Sequence, residues 1–129
     1  MMGSHCIKHW CKMQHAVALS SAEAELYAGV LTATEGLGIQ AMAEDLGIKL
    51  HMSLYLDAKA AIAIMSREGL SKVKHIETRF LWIQDAIKAK RFSLRKVKTE
   101  ENPADLFTKP LDIGKTNYFT TAIGLRFMM

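Results

Sequence analysis

Residues 50–68, LHMSLYLDAKAAIAIMSRE, decide the fold class, because the hydrophobic period changes within them. Every second residue from Leu50 to Leu56 is apolar, which predicts a strand with one buried face that ends at Asp57. The next residues, AKAAIAIMSRE, predict a short helix that stops at Gly69. A strand, an acidic junction and a helix in direct succession indicate an α/β domain.

The preceding segment predicts a long helix. Ser20 followed by Glu23 is a capping-box pattern, and Gly47 supplies a left-handed stop. Apolar residues recur between them at spacings of three and four: Leu26, Val30, Ala33, Leu37 and Ala41. Each internal glycine weakens a helix by about 1 kcal/mol relative to alanine. We therefore expect close packing against this helix at Gly29, Gly36 and Gly38.

Weaker patterns predict the remaining elements. Residues 6–13, CIKHWCKM, alternate loosely and predict a strand, and residues 92–99, FSLRKVKT, predict another. Asn102 followed by Pro103 indicates a helix start. The tail after Leu111 has a weak helical pattern. Between residues 73 and 87 an amphipathic helix is predicted from Val73, Ile76, Phe80, Ile83 and Ile87.

Composition indicates one globular domain, since the 129 residues are 50% hydrophobic and 23% charged. No apolar run approaches the roughly 20 residues that span a bilayer, and the start lacks the apolar core of a signal peptide. We therefore expect an intracellular protein without a membrane partner. Two cysteines, Cys6 and Cys11, are too few for a disulfide framework. The net charge of +4 favours an anionic partner.

Three acidic residues lie where a helix begins or a strand ends: Glu25, Asp57 and Asp105. In an open α/β sheet the carboxyl ends of the strands form a crevice, and carboxylates gathered there suit Mg²⁺. Each acid also has a structural explanation. Glu25 is equally well explained by a local role, Asp57 by capping the next helix, and Asp105 by the helix dipole. Their coincidence predicts a divalent metal site.

A second metal-like group is less favoured. It consists of His5, Cys6, His9, Cys11 and His15, whose spacing lacks two clean ligand pairs for zinc. Basic residues are concentrated from Lys88 to Lys98, in the predicted connection between a helix and a strand. They are explained either by a solvated surface or by a track for nucleic-acid phosphates.

Four motifs resemble the ribonuclease H domain of copia-type LTR retrotransposon Pol polyproteins, in order and spacing: VALSSAEAELYAGV, LYLDAKAAIAI, KVKHIETRFLWIQDAI and VKTEENPADLFTKPL. The resemblance covers about residues 5–111, leaving residues 112–129 as a tail. It implies an α/β, ribonuclease H-like mixed sheet of five strands with flanking helices. It also implies hydrolysis of the RNA strand of RNA/DNA hybrids with two Mg²⁺ ions, or with Mn²⁺. The implied partner is the reverse transcriptase portion of the same polyprotein, in a cytoplasmic particle or the nucleus.

The resemblance implies that the catalytic and metal-binding acids of the family fall on Glu25, Asp57 and Asp105. His75 matches a histidine of the family. Its role is either a contact with a substrate phosphate or a structural role at a helix start. Lys88, Lys90 and Arg91 are the candidate substrate contacts.

The beginning of the chain departs from the family pattern. The family has a further aspartate, in a motif similar to YTDADWAG, on a strand before the one that resembles HCIKHW; here only MMGS precedes His5. We therefore expect a domain that lacks the first strands of the family fold and one catalytic aspartate, with impaired activity. The alternatives are a non-catalytic nucleic-acid-binding remnant and an inert pseudogene product.

Overall fold

The computed structural model describes residues 1–14, 17–66 and 82–125. The chain forms two compact units, one of Gln14–Val97 and one of Met1–Met13 with Lys98–Met129. We call them the helix–sheet unit and the terminal unit. The helix–sheet unit contains α1 (Ser21–Asp45), β1 (Ser53–Leu56), α2 (Lys59–Met65), α3 (Trp82–Lys88) and β2 (Ser93–Lys96). The terminal unit contains two 3-10 helices, Thr99–Glu101 and Pro103–Phe107, and α4 (Ile113–Ala122). The predicted α/β class is confirmed.

Helix α1 begins where the capping pattern predicts. The Ser20 hydroxyl accepts a hydrogen bond from the Glu23 N–H at 3.2 Å. The Glu23 carboxylate accepts a hydrogen bond at 3.0 Å from the N–H of Leu19, the residue before the cap. It accepts a second hydrogen bond from the Tyr27 hydroxyl. Glu23 is only 2% exposed, so these bonds stabilise a buried carboxylate. The Glu23 side chain therefore holds the backbone just before the helix as well as the first turn of α1.

Close packing holds α1 at two of its glycines. A Cβ atom at Gly29 would overlap the end of Met65 and would lie 3.3 Å from Leu56 Cδ2. A Cβ atom at Gly36 would overlap the sulfur of Met52. The prediction of close packing is confirmed at these positions and is wrong at Gly38, where no atom of the described residues lies within 4 Å.

The apolar face of α1 ends earlier than predicted. Leu26, Val30 and Ala33 are buried and Leu37 packs against the same core, but Ala41 is exposed. Met52, just before β1, meets the helix at Gly36. Ala41 lies more than one turn beyond that contact, and it is exposed among the residues that the structure describes.

Strands β1 and β2 are parallel neighbours, with Ser53 opposite Ser93 and Leu56 opposite Lys96. Leu54 and Leu56 are buried and Tyr55 is 53% exposed, as the alternation predicts. Within the described residues the sheet has these two strands, so the implied sheet of five strands is not seen. The sheet and helices enclose one core: Leu26, Val30, Ala33, Leu54, Leu56, Ala61, Met65, Ile83, Ala86 and Phe92.

The strand predicted over residues 6–13 is wrong. The described residues show no strand there; the Cys6 N–H donates to the Ile123 carbonyl at 3.0 Å, and a single bridge joins Met2 and His5. Ile7 is 53% and Met13 is 93% exposed. The loose alternation thus has neither a buried face nor a continuous backbone partner, and a strand needs both.

The middle of the chain is described only in part. Ile83 and Ile87 of the predicted amphipathic helix lie in α3, with Ile83 1% exposed. The part of that prediction from Val73 to Phe80, and the stop predicted at Gly69, lie outside the described residues. No helix in the described part of the chain is long and apolar enough to cross a membrane.

The terminal unit confirms one predicted helix start and the helix predicted in the tail. The Asn102 side chain accepts a hydrogen bond from the Ala104 N–H at 3.2 Å and is followed by Pro103, although the helix formed is a short 3-10 helix. Helix α4 confirms the weak pattern of the tail. It buries Phe119 on one side, and its N-cap is Asp112.

Candidate active site

Asp57 directly follows β1 at the carboxyl end of the parallel sheet and is half-buried. The Val97 N–H donates to the Leu56 carbonyl at 3.0 Å, so the pairing of the two strands continues to the residue before the acid. The N-cap of α2 is Ala58, which makes no side-chain capping bond. Asp57 is therefore not the cap of the following helix. That finding removes the structural explanation of this acid.

Glu25 lies in α1, also half-buried, on the face that packs against β1. Gly36 meets Met52, and Gly29 meets Leu56, so α1 runs antiparallel to β1. Glu25 precedes Gly29 by one helical turn and shares its face. Asp57 follows Leu56 in the same direction. The two acids therefore lie at the same end of the helix–sheet unit.

Asp105 lies in the terminal unit, in the 3-10 helix that Asn102 caps. Its side chain is only 14% exposed, and its Oδ1 lies 3.0 Å from Nζ of Lys109. Phe107, in the same short helix, stacks on the ring of His9 with centroids 4.5 Å apart. The N-terminal segment thus contacts the helix that carries Asp105.

The predicted acids are divided between the two units, with Glu25 and Asp57 in one and Asp105 in the other. Within either unit, the described residues contain no group of three His, Cys, Asp or Glu side chains placed to hold a metal ion. His15 of the zinc alternative lies outside the described residues, as does His75 of the family motif. Of the three predicted acids, Glu25 and Asp57 lie at the same end of one unit.

The predicted basic residues lie away from this pair. Lys88 is the exposed last residue of α3, and Lys90 and Arg91 are exposed in the connection from α3 to β2. This connection precedes Ser93, whereas Asp57 lies at the opposite, carboxyl end of the sheet. A strand of this length extends about 13 Å at 3.3 Å per residue. These cations and Asp57 therefore lie toward opposite ends of the sheet.

Lys90 has an unusual backbone conformation. Helices α1, α3 and α4 end in the same motif, in which a backbone N–H just after the helix donates to the carbonyl five residues earlier. The donor and acceptor residues are Ile48 and Ala43, Arg91 and Ala86, and Leu125 and Thr120. The motif requires one left-handed residue, which is Gly47 after α1 and Gly124 after α4. After α3 it is Lys90, at φ 55°. A side chain in that conformation costs about 1 kcal/mol or more.

Lys109 is a functional candidate that the sequence motifs did not single out. It follows Asp105 by four residues, and this spacing is typical of ion pairs on helices. That spacing in ADLFTK was the available signal. Only the structure shows that the carboxylate partner is mostly buried.

The chain is similar to proteins encoded by transposons. It is 30% identical over 116 residues to the retrovirus-related Pol polyprotein from transposon TNT 1-94 of Nicotiana tabacum, a match that covers 88% of this chain. Its homologues are retrovirus-related Pol polyproteins from plant transposons.

Two further relatives come from Arabidopsis thaliana. They are the retrovirus-related Pol polyproteins from transposons RE1 and RE2, each 29% identical over 127 residues and 96% of this chain. The chain spans 9% of the length of each of these three relatives. Neither a protein-family model nor a solved structure matches it.

Proposed function

We propose that this chain is the ribonuclease H-type region of a transposon Pol polyprotein and hydrolyses the RNA strand of RNA/DNA hybrids. The observation that carries the proposal is that Asp57 directly follows the parallel strand β1, at the end of the helix–sheet unit where α1 carries Glu25. Asp57 does not cap α2, so its position at the strand end is unexplained by local structure. Similarity to Pol polyproteins supports a substrate class that arises during reverse transcription.

The donor set fits Mg²⁺. Glu25, Asp57 and Asp105 offer carboxylate oxygens, the ligands that Mg²⁺ and Mn²⁺ prefer. In two-metal hydrolysis, ions held by such carboxylates would acidify the attacking water and stabilise the leaving oxygen. Glu25 and Asp57 are held by the packing of α1 on β1, which fixes the backbone beneath both acids.

The chain has no Asp or Glu before Glu23, although the family pattern includes an acid on a preceding strand. Two-metal hydrolysis requires both ions to be positioned. We therefore propose that cleavage be assayed with the further acid of the family pattern supplied. The other polyprotein regions, including a reverse transcriptase, are the proposed partners, in a cytoplasmic particle or the nucleus.

Manganese titration tests the metal assignment directly. In ¹⁵N NMR spectra, Mn²⁺ is expected to broaden the amide signals next to Asp57 and Glu25 at low metal concentration, because a paramagnetic ion bound by both acids relaxes nearby nuclei. Asp57→Asn is expected to weaken that binding by about 10-fold or more, since even groups that only orient a ligand contribute 10–100-fold.

Asp45→Asn is the matched control, because Asp45 is an exposed acid at the far end of the same helix. It should leave the titration unchanged. Equal broadening around Glu44 and Asp45, or an unchanged response in Asp57→Asn, would show non-specific binding to acids and would contradict the proposal.

Lys90 is proposed to contact a phosphate of the hybrid, and this explains its left-handed conformation. Lys90→Gly is expected to raise the free energy of unfolding by about 0.5–1 kcal/mol, because glycine adopts that conformation without strain. The same variant is expected to bind hybrid more weakly and to lower the slope of log affinity against log salt by about 1. Urea unfolding and fluorescence anisotropy measure the two effects.

Lys49→Gly is the control, since Lys49 is exposed in the connection after α1. It removes the same charge and should not change the salt slope. If Lys90→Gly binds hybrid as the unaltered chain does, Lys90 makes no phosphate contact. Binding that depends on Lys90 without metal-dependent cleavage would favour a non-catalytic nucleic-acid-binding module.

A further inference from the structure

The Asp105–Lys109 pair differs from an ordinary surface ion pair. Its N–O distance is 3.0 Å, and the carboxylate is 14% exposed while the lysine is 52% exposed. The nearby pair Lys98–Glu101 has a distance of 3.8 Å and side chains that are 75% and 57% exposed. Lys109 thus reaches from solvent to a carboxylate that water contacts poorly.

We infer that Lys109 is the counter-ion of Asp105 when metal is absent and opposes metal binding at that carboxylate. This inference rests on the proposed function, which makes Asp105 a metal ligand. Lys109 is a positioning residue in this role, since it acts through Asp105.

The reason is electrostatic. A magnesium ion lies about 2.0–2.1 Å from each ligand oxygen. An ammonium group 3.0 Å from the same carboxylate would be close to the ion and would repel it. Lys109 must therefore move when metal binds. Its exposure permits this, because a half-exposed lysine on a flexible stem can turn into solvent.

The displaced ammonium remains close to Asp105, because the Lys109 backbone N–H donates to the Asp105 carbonyl at 3.1 Å. There it can pair with a phosphate of a bound nucleic acid. Lys109 would then oppose metal in the free protein and oppose it less once polymer is bound. Metal binding and hybrid binding are coupled through this side chain.

The test is a Mn²⁺ titration of the whole chain, followed by broadening of the Asp105 and Leu106 amide signals at low salt. Lys109→Met is expected to lower the apparent Kd about fivefold, because one opposing charge is removed. Lys109→Arg keeps the charge and should stay within about twofold of the unaltered chain. Adding RNA/DNA hybrid should tighten Mn²⁺ binding in the unaltered chain more than in Lys109→Met.

Lys98→Met is the matched control, since it removes one lysine from the neighbouring ion pair in the same unit. It should not change the Kd. Asp105→Asn provides the second test, because Lys109→Met should have no effect in that background. Circular dichroism checks the fold of every variant, and Lys109→Gln replaces Lys109→Met if the latter unfolds.

The outcomes separate this inference from the proposed function. If Asp105→Asn weakens Mn²⁺ binding but Lys109→Met does not alter it, the counter-ion role is wrong and the metal site stands. If Lys109→Met lowers the apparent Kd for Mn²⁺ equally in the unaltered chain and in Asp105→Asn, the effect comes from net charge. In that case the counter-ion role of Lys109 is also wrong. If neither Asp57→Asn nor Asp105→Asn affects Mn²⁺ binding, the proposed function fails with it.

Discussion

Asp57→Asn is expected to lower the rate of Mg²⁺-dependent hybrid cleavage by at least about 100-fold, because it removes a direct metal ligand and even ligand-orienting groups contribute 10–100-fold. The comparison is made in a chimaera that supplies the further acid of the family pattern. In it, an aspartate-bearing first strand from a ribonuclease H is fused ahead of His5. Cleavage of a labelled RNA strand, sensitive to EDTA, is the measurement.

The same chimaera carrying Asp45→Asn is the control and should cleave at the unaltered rate. Glu25→Gln should resemble Asp57→Asn, since both acids lie at one end of the helix–sheet unit. A chimaera that unfolds cooperatively and cleaves hybrid equally well with Asn at position 57 would exclude Asp57 from the reaction.

Gly29→Val is expected to lower the free energy of unfolding by about 2 kcal/mol, the usual effect of overpacking a filled core. The first added carbon meets the end of Met65, a flexible group that can shift. The branched carbons of valine then meet Leu56, which is 5% exposed and held by the sheet. Urea unfolding followed by circular dichroism measures the loss.

Gly38→Ala is the matched control in the same helix, because in the described part of the chain no atom lies within 4 Å of its added carbon. It is expected to stabilise the chain by up to about 1 kcal/mol through helix propensity. The free energy of unfolding of Gly29→Ala should lie between those of Gly29→Val and Gly38→Ala. If Gly29→Val and Gly38→Ala were equally stable, α1 could not be packed on Leu56 as described, and the placement of Glu25 beside Asp57 would lose its basis.

Local signals predicted the parts of the fold that local physics determines. Ser20 begins α1 and Gly47 ends it because a cap and a left-handed glycine act within a few residues of the chain. The buried face of β1 follows from alternation alone. These features need no knowledge of a distant partner.

Tertiary contacts determined what the sequence could not predict. Residues 6–13 alternate but have no continuous partner strand among the described residues, so the predicted strand fails. The stripe on α1 stops before Ala41 because Met52 lies at Gly36. The left-handed Lys90 occupies a position where glycine is expected, and no pattern in the sequence marks it.

The candidate site was predictable as a set of residue types but not as an arrangement. Asp57 and Glu25 could be grouped from their places beside a strand and a helix. Whether Asp57 capped α2 was decided only by the structure, in which Ala58 holds that position. The link between Asp105 and Lys109 depended on burial, which spacing alone does not reveal.

The parallel pairing of β1 with β2 also has a consequence for folding kinetics. The Gln40 side chain donates a hydrogen bond to the Leu50 carbonyl, ten residues along the chain. The hydrogen bond between the side chains of His51 and Ser93 joins residues that are 42 positions apart. Closing the longer loop costs more entropy before any contact compensates for it. Helix α1 and strand β1 should therefore associate early, and β2 should join late. Until β2 docks, the edge of β1 that it will cover is open to pairing with other chains, so slow folding at high concentration favours aggregation.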